Sequence, residues 1–471
     1  MKKLKYIIYS LGMALSLSSC DDFLSFEPSD SVGSESAYST VSDIETGLNG
    51  IYYTLGEYEF YGRNIVALGD IAADNMWMTG SSGHFDQIYK YTINADNADL
   101  LDIWEKGYEL IDRSALLITA AKEMLKEDLS ESNTNILKAA LAQAYGLKAL
   151  AHFTLVNIFG LPYSNENKSQ LGIIVVGDEH IEAFQEVSRS TVEQSYAQVL
   201  DDIASAKNYI SAVDFDAFIM NEAALYALEA RVRLFMEDWS GAITAANSAI
   251  TKSGGKLVMN ADDYYSMWSS VNATTEDIFT ISKLANDNLS ANSLNTLYGS
   301  YDGKATSGLL ALFGENDMRI ALFEGSGDQI IAKKYMGLPT SAATSNIPVF
   351  RLPEMYLILA ESKAQLNQAD AVDDLYQVAQ RNPDLAKADI PVSRADLLNF
   401  ISVERRRELF QEGHRWYDLR RTGEVMTRVG GSYSITDWDA SQFVYPIPAQ
   451  EISASGIEQN TNWASGLPLL D

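Results

Sequence analysis

Apolar residues recur three or four positions apart along much of this chain, which is the spacing of an amphipathic helix. The longest of these runs cover residues 103–121 and 140–158. Three pairs of residues have the spacing of a helix N-terminus with its cap: Thr40 with Asp43, Ser190 with Glu193, and Ser393 with Asp396. The pattern therefore predicts long helices and an all-α fold.

Two segments, residues 222–250 and 354–380, have the pattern of tetratricopeptide-like helix pairs. Alanines at the inner positions allow two helices to approach closely, and Trp239 follows the turn in the first pair. Such units bury their apolar faces only against neighbouring units, so they favour one continuous helical body. We predict a tetratricopeptide-like helical-repeat body with helix pairs near residues 102–159, 191–250 and 352–382.

Four long stretches lack helical periodicity: residues 57–100, 160–188, 251–350 and 422–471. They are rich in Gly, Ser, Asn, Asp and aromatic residues. Irregular connections longer than ~15 residues are uncommon in compact proteins and are usually functional. We expect these long irregular loops to form a binding face on the helical body. Although 471 residues would allow three domains, no linker is evident, and we predict a single domain over residues 20–471.

Composition and charge exclude several classes of protein. The chain has 64 acidic and 35 basic residues, a formal charge of −29, which disfavours nucleic-acid binding. One cysteine in 471 residues excludes a disulfide framework, a four-cysteine zinc site and an iron–sulfur cluster. The four histidines have no metal-ligand spacing, so we expect no metal site and no cofactor.

The N-terminus has the form of a bacterial secretion signal. Lys2, Lys3 and Lys5 precede a short apolar stretch over residues 6–17, which is too short to span a bilayer. The only cysteine, Cys20, ends a Leu-Ser-Ser-Cys segment that resembles a lipobox. We predict a signal peptide over residues 1–19 and lipidation of Cys20; the alternative is an ordinary secretory signal with an incidental cysteine.

No familiar catalytic motif is present, and we predict that the chain is not an enzyme. A glycosidase needs only two carboxylates, but no pair stands out in this acidic sequence. Among the histidines, His152 lies in an alanine-rich run and is interpreted as a packing residue. His84 lies in a Gly-Ser loop and is available to contact a ligand.

The densest charged segment covers residues 404–421. Its spacing suggests that Glu404 pairs with Arg407, and Arg405 with Glu408, on adjacent helical turns. The arginines could form an anion site or could fix a helix to the acidic body. We favour the structural interpretation because the chain carries such a large negative charge.

Several motifs, in order along nearly the whole chain, resemble the SusD/RagB-type outer-membrane nutrient-binding lipoproteins. They are the lipobox at Cys20, Leu48-Asn49-Gly50, Gly69-Asp70 to Asp74-Asn75, residues 104–117, residues 157–162, the helix pair 222–250, Arg351-Leu352 to Ala360-Glu361, Glu404-Arg405-Arg406, Glu412-Gly413 to Asp418-Leu419, and Tyr445-Pro446-Ile447-Pro448 to Gln459-Asn460. The last third carries the most specific of these motifs.

The resemblance implies a SusD-like helical fold and a function in nutrient capture. It implies a lipoprotein of the outer membrane, facing the cell exterior, that binds an oligosaccharide and delivers it to a SusC-like TonB-dependent transporter. Asp21 and Asp22 do not settle the membrane address alone, but in this family an acidic stretch after the lipid cysteine accompanies surface export. Alternatives are a binder of peptides or another non-glycan nutrient, and a lid for the transporter with no ligand of its own.

The resemblance also places ligand contacts in the loops near residues 57–100 and 251–350. A sugar ring has an apolar face and a rim of hydroxyl groups, so its site needs aromatic platforms and polar partners. Other tryptophans lie in packing patterns or in motifs interpreted as structural: Trp104, Trp239, Trp416, Trp438 and Trp463. The predicted ligand-binding residues are Trp77, Trp268, Tyr61, Tyr265, Tyr298, Tyr301, Asn75, His84 and Asp86. Packing of the loop against the body is the alternative for each aromatic residue.

Overall fold

A computed structural model of the chain describes residues 38–182, 185–428, 433–461 and 463–468. The predicted signal peptide and Cys20 lie outside these residues. The described part contains sixteen α-helices and eight short strands, which confirms the predicted all-α class.

The helices range from single turns to 29 residues in length. In chain order they are α1 (Val41–Leu55), α2 (Asn64–Ile71), α3 (Asp86–Tyr89), α4 (Ala98–Met124), α5 (Glu131–Phe159), α6 (Val192–Lys207), α7 (Glu222–Phe235), α8 (Trp239–Ser253), α9 (Ala261–Ser266), α10 (Leu294–Tyr298), α11 (Ser307–Leu310), α12 (Leu352–Gln365), α13 (Ala371–Ala379), α14 (Arg394–Leu409), α15 (Arg415–Thr422) and α16 (Ala449–Ser455).

Side-chain caps fix the start of several helices. The capping box of Thr40 and Asp43 begins α1 as predicted, and Ser393 caps α14 by accepting from the Asp396 backbone N–H. The prediction for α6 was wrong by one residue. Thr191 is its N-cap, and Gln194 completes the capping box.

Helix pairs form the body of the molecule. Helix α4 packs on α5, α7 packs on α8, and α12 packs on both α13 and α8. Helix α5 is buried from Ala140 to Phe159 because α1, α4 and α6 surround it. Trp239 is half-buried at the start of α8. These pairs correspond to the segments that the alanine-rich pattern indicated.

Short antiparallel strand pairs join segments that are distant in sequence. The eight strands are β1 (Met76–Met78), β2 (Asp277–Ile281), β3 (Gly303–Ala305), β4 (Phe323–Glu324), β5 (Ile331–Ala332), β6 (Ile347–Arg351), β7 (Val425–Arg428) and β8 (Ile435–Asp439). They pair as β1 with β3, β2 with β6, β4 with β5 and β7 with β8. The β1–β3 pair is decisive for the site because it joins the loop regions 57–100 and 251–350.

The stretch 57–100 is less loop-like than its sequence suggests. All eight residues of α2 are buried, so this helix has no polar face to give a periodic pattern. The hydrophobic pattern therefore did not predict α2, although this helix is fully buried in the molecule.

A buried ionic cluster explains the charged segment 404–421. Three arginines and one lysine (Arg319, Arg351, Arg381 and Lys334) surround four glutamates (Glu276, Glu404, Glu408 and Glu412). The structural interpretation of this segment is confirmed, because its arginines bind buried acids of other elements, Arg415 to Asp74 at 2.7 Å and Arg421 to Glu361 at 2.5 Å. The pairing of Glu404 with Arg407 is also confirmed, at 3.1 Å. The predicted pairing of Arg405 with Glu408 was wrong, because Arg405 binds Asp418 at 2.7 Å.

Candidate binding site

The pairing of β1 with β3 places Trp77 opposite Lys304. Next to this pair, Ala305 bridges to Ile330, and α10 leads into β3. The two loop regions expected to bind ligand therefore meet at one place on the helical body.

An open groove of about 710 Å³ lies beside this junction. We call it the tyrosine groove, and its defining residues are Tyr298, Tyr301, Tyr335, Asn295, Thr296 and Lys333. Its volume falls within the range of small-molecule sites. Aromatic rings with a few polar side chains give it the composition expected of a carbohydrate or similar polar ligand site.

Two of the three tyrosines form the wall of the groove. The Tyr298 and Tyr335 rings are stacked, with centroids 6.2 Å apart and planes at 18°. Both hydroxyl groups are buried, and neither has a hydrogen-bond partner among the described residues. Burial raises the pKa of both phenols well above the ordinary value, so both rings are neutral.

Tyr301 is the partly exposed ring of the groove. His84 stacks on it at a centroid distance of 4.6 Å and an angle of 16°. Burial and the nearby Arg63 lower the pKa of His84, which therefore remains a neutral imidazole at pH 7. A second contact ties the same loop to Tyr301, since the Ser82 hydroxyl donates to its carbonyl oxygen at 3.3 Å.

Polar side chains also line the tyrosine groove. Asn295 Nδ2 donates to the Tyr335 carbonyl oxygen and to Ser345 Oγ, both at 2.9 Å. Lys333 pairs with Glu324 at 2.6 Å and keeps part of its side chain exposed. These groups are held by the fold at positions where they can pair with ligand hydroxyl groups.

The structure places four of the predicted site residues at or beside the groove and the other five elsewhere. Tyr298 and Tyr301 line the groove, His84 supports it, and Trp77 lies on the adjoining strand. Trp77 is only 6% exposed. Its binding role stays a prediction.

Two polar residues of the same loop already have partners. Asn75 is buried and accepts from Arg406 Nε at 3.1 Å. Asp86 pairs with Lys90 at 2.8 Å. Both contacts stabilise the loop, so a hydroxyl-binding role for either residue is still only predicted.

Tyr61, Trp268 and Tyr265 lie away from the tyrosine groove. The Tyr61 hydroxyl is 2.9 Å from Thr154 Oγ1, beside a pocket of about 50 Å³ that has room for water but not for a sugar ring. Trp268 is 7% exposed and lies against the cations of Lys334 and Arg351. Tyr265 is half-exposed on α9.

Tyr335 is the groove tyrosine that sequence reasoning missed, and the polar groove residues Asn295, Thr296 and Lys333 were missed as well. Tyr335 follows β5 within a stretch identified only as a loop, and it reaches the groove because β5 is tied to β3 through the Ala305–Ile330 bridge. No local signal distinguishes it from the other tyrosines of that stretch.

The described residues contain no cluster of histidine, cysteine and acidic side chains able to hold a metal ion. None of the helices among them has the length and apolar character needed to cross a bilayer.

The fold is that of a helical-repeat protein with a candidate ligand groove between its loops, and similarity to known proteins gives its family. The SusD family model matches residues 334–463, and a second model, described as starch-binding associating with outer membrane, matches residues 22–234. The chain belongs to the SusD/RagB family, as the motifs predicted.

Individual relatives agree along nearly the whole chain. The SusD-like protein P2 of Formosa agariphila is 23% identical over 511 residues, covering 95% of this chain and 97% of the relative. A SusD superfamily structure from Bacteroides thetaiotaomicron is 25% identical, covers 89% of this chain and 99% of its own, and has a TM-score of 0.79. A candidate sugar binding protein from Bacteroides vulgatus is 27% identical, with coverages of 91% and 99% and a TM-score of 0.83.

Proposed function

We propose that this chain is a lipid-anchored protein of the cell surface that binds an oligosaccharide in the tyrosine groove and delivers it, without cleavage, to a SusC-like TonB-dependent transporter. The observation that carries this proposal is the half-exposed Tyr301 ring, which stacks on His84 and lines a groove of about 710 Å³.

The groove suits a neutral, hydroxylated ligand. The Tyr301 ring can cover the C–H face of a sugar, and Asn295, Thr296 and Lys333 can pair with its hydroxyl groups. Lys333 is already paired with Glu324, so the groove has no unbalanced charge to favour an ionic ligand.

The family supports the membrane location and the class of ligand. One of the two matching models describes starch binding in association with the outer membrane, and the related Bacteroides vulgatus structure is described as a candidate sugar binding protein. Acylation of Cys20 would supply the attachment, and two or more acyl chains make such attachment stable.

The test is a glycan array on the mature protein, followed by titration of the retained glycans against Tyr301→Ala. We expect the substitution to weaken binding about tenfold or more, equivalent to about 1.4 kcal/mol, because the stacking surface is lost. Tyr376→Ala is the matched control, since that tyrosine is half-exposed on α13 and does not line the groove.

Equal affinity of Tyr301→Ala and the wild type would show that the tyrosine groove is not the site. Failure of the wild type to retain any glycan, together with capture of oligopeptides, would replace the sugar ligand with a peptide. Release of product from a labelled polysaccharide by the purified protein would contradict binding without cleavage.

A further inference from the structure

A second groove, of about 340 Å³, lies between the C-terminal half of α1 and the segment after β2. We call it the Tyr53 groove, and its defining residues are Asn49, Tyr53, Phe218, Lys283 and Asp287. None of them belongs to the set predicted from sequence to bind ligand.

Tyr53 has no role in packing that explains its presence. Its side chain is 61% exposed, and it makes no hydrogen bond or ring contact with the described residues. The preceding Tyr52 is fixed, because its hydroxyl donates to Gln143 Oε1 and accepts from the Met220 backbone N–H, both at 2.7 Å. A large exposed ring beside a groove is a surface available to a ligand.

The polar groups of the Tyr53 groove suit the same kind of ligand as the tyrosine groove. Lys283 Nζ lies 3.3 Å from Asp287 Oδ2, so the two charges balance locally. Asn49 is exposed at the edge and can donate and accept hydrogen bonds. An aromatic platform with amide, carboxylate and ammonium partners is again the composition that a sugar ring requires.

The two grooves adjoin along the chain. Asp287 lines the Tyr53 groove, and Ser290 lines the tyrosine groove. Three residues span at most about 11 Å when fully extended. The segment is folded more tightly than that, since Asp287 N donates to the Leu284 carbonyl oxygen and Ser290 N donates to Asn288 Oδ1, both at 3.0 Å.

We propose that the two grooves are subsites of one extended site, so that the ligand is an oligosaccharide long enough to contact Tyr301 and Tyr53 together. This inference rests on the proposed function and adds ligand length to it. The intervening turn over residues 284–290 joins the subsites, since Asp287 of one and Ser290 of the other lie within about 11 Å of each other.

The experiment is a calorimetric titration of the full mature protein with malto-, cello-, xylo- and manno-oligosaccharides, from disaccharide to octasaccharide. We expect Tyr53→Ala to weaken the longest bound oligomers about tenfold and to leave the shortest unchanged. Tyr301→Ala should weaken every length. Tyr53→Phe keeps the ring and should retain the affinity for long oligomers.

Each outcome bears on one proposal or on both. If Tyr53→Ala changes no affinity, or changes short and long oligomers alike, the extended site is wrong, while an effect of Tyr301→Ala keeps the proposed function. If the wild type binds no oligosaccharide of the series and retains none on the glycan array, both proposals are wrong. Because Tyr53 is exposed, the variant should fold normally, which circular dichroism can verify.

Discussion

Glu408 lies at the point where three arginines converge. Its carboxylate is 3.0 Å from Arg351 and 3.3 Å from Arg319, and it also pairs with Arg381. The side chain is fully buried, and the three guanidinium groups lower its pKa far below the ordinary range despite that burial. Removing one charge from such an arrangement leaves the others buried without compensation.

We expect Glu408→Gln to lower the free energy of unfolding by about 3–5 kcal/mol, because the arginines stay charged and lose the carboxylate that compensates them. Urea unfolding of the variant and of Glu45→Gln, an exposed position in α1, would measure the effect. A loss no larger than that of the control would mean that the cluster tolerates an unpaired cation.

The pKa of Asp70 is shifted in the opposite direction from that of Glu408. Asp70 is fully buried in α2, and one of its oxygens, Oδ2, accepts from the Gly413 backbone N–H at 2.9 Å. Its other carboxylate oxygen has no hydrogen-bond partner among the described residues. Burial raises the pKa of this carboxyl group to about 7, so near neutral pH it holds its proton about half of the time.

Since the folded-state pKa of Asp70 is raised, its contribution to stability is fully present below about pH 4 and is lost as the pH rises through about 7. Asp70→Asn removes this titration. We therefore expect the variant to gain stability relative to the wild type between pH 4 and pH 8, on the order of 4 kcal/mol. Denaturant unfolding across this range measures the difference, with exposed Asp214→Asn as the control. A difference that does not vary with pH would show that Asp70 titrates normally.

At the scale of elements, sequence patterns predicted the helices that have one buried and one exposed face. Helix α4 has regular apolar positions, and the pattern over residues 103–121 predicted most of its length. Helix α2 was missed because it is buried on every side, and the two- to five-residue strands were missed because they are too short for a periodic signal. Their pairing depends on long-range contacts that no local pattern carries.

The same distinction governs the site. Tyr301 and His84 were predicted because both lie in polar loops where the family resemblance places ligand contacts, and the structure stacks them. Tyr335 and Tyr53 were not predicted as ligand contacts. The position of Tyr335 depends on strand pairing, and that of Tyr53 depends on which face of α1 is exposed. For Trp77 and Trp268 the sequence left binding and packing as alternatives, and their burial depends on distant residues that cover them.

Two segments that the sequence separates by more than three hundred residues come into close contact at Gly69. A Cβ atom there would lie 2.1 Å from the Gly413 carbonyl oxygen, a backbone atom that cannot rotate away. Both glycines belong to the family motifs, and this contact gives a physical reason for glycine at the first of them.

We expect Gly69→Ala to lower the free energy of unfolding by several kcal/mol, about 3 or more, because α2 must move away from the 410–414 segment. Gly177→Ala is the matched control, since its added Cβ meets nothing within 4 Å. Thermal unfolding of both variants would test the prediction. Equal stability would mean that α2 can shift without loss of packing.

The whole molecule carries a formal charge of −29, or −32 if Lys2, Lys3 and Lys5 are removed with the signal peptide. The proposed ligand is neutral, so its binding releases no counterions and should not respond to this charge. We expect the dissociation constant to change by less than about twofold when salt rises tenfold, because screening acts only on charged partners. A strong salt dependence, measured by titration, would indicate a charged ligand.

Attachment to the membrane is a second property of the whole molecule. If Cys20 carries the lipid, Cys20→Ser should move the protein from the membrane fraction to the soluble fraction, because the acyl chains provide the binding energy. Fractionation with immunoblotting measures this directly. Retention of the variant in the membrane would show that another part of the molecule, or the proposed transporter partner, provides the attachment.

The buried ionic cluster also sets the order in which the chain can fold during synthesis. Its arginines at positions 319, 351 and 381 precede Glu404, Glu408 and Glu412, which neutralise most of their charge. A nascent chain that ends before residue 400 has only Glu276 from this cluster, together with the neighbouring Asp317, to balance three guanidinium groups and Lys334. The central part of the molecule therefore lacks most of the carboxylates that neutralise these cations until residues 404–412 have been synthesised, and we expect it to pack only after that point.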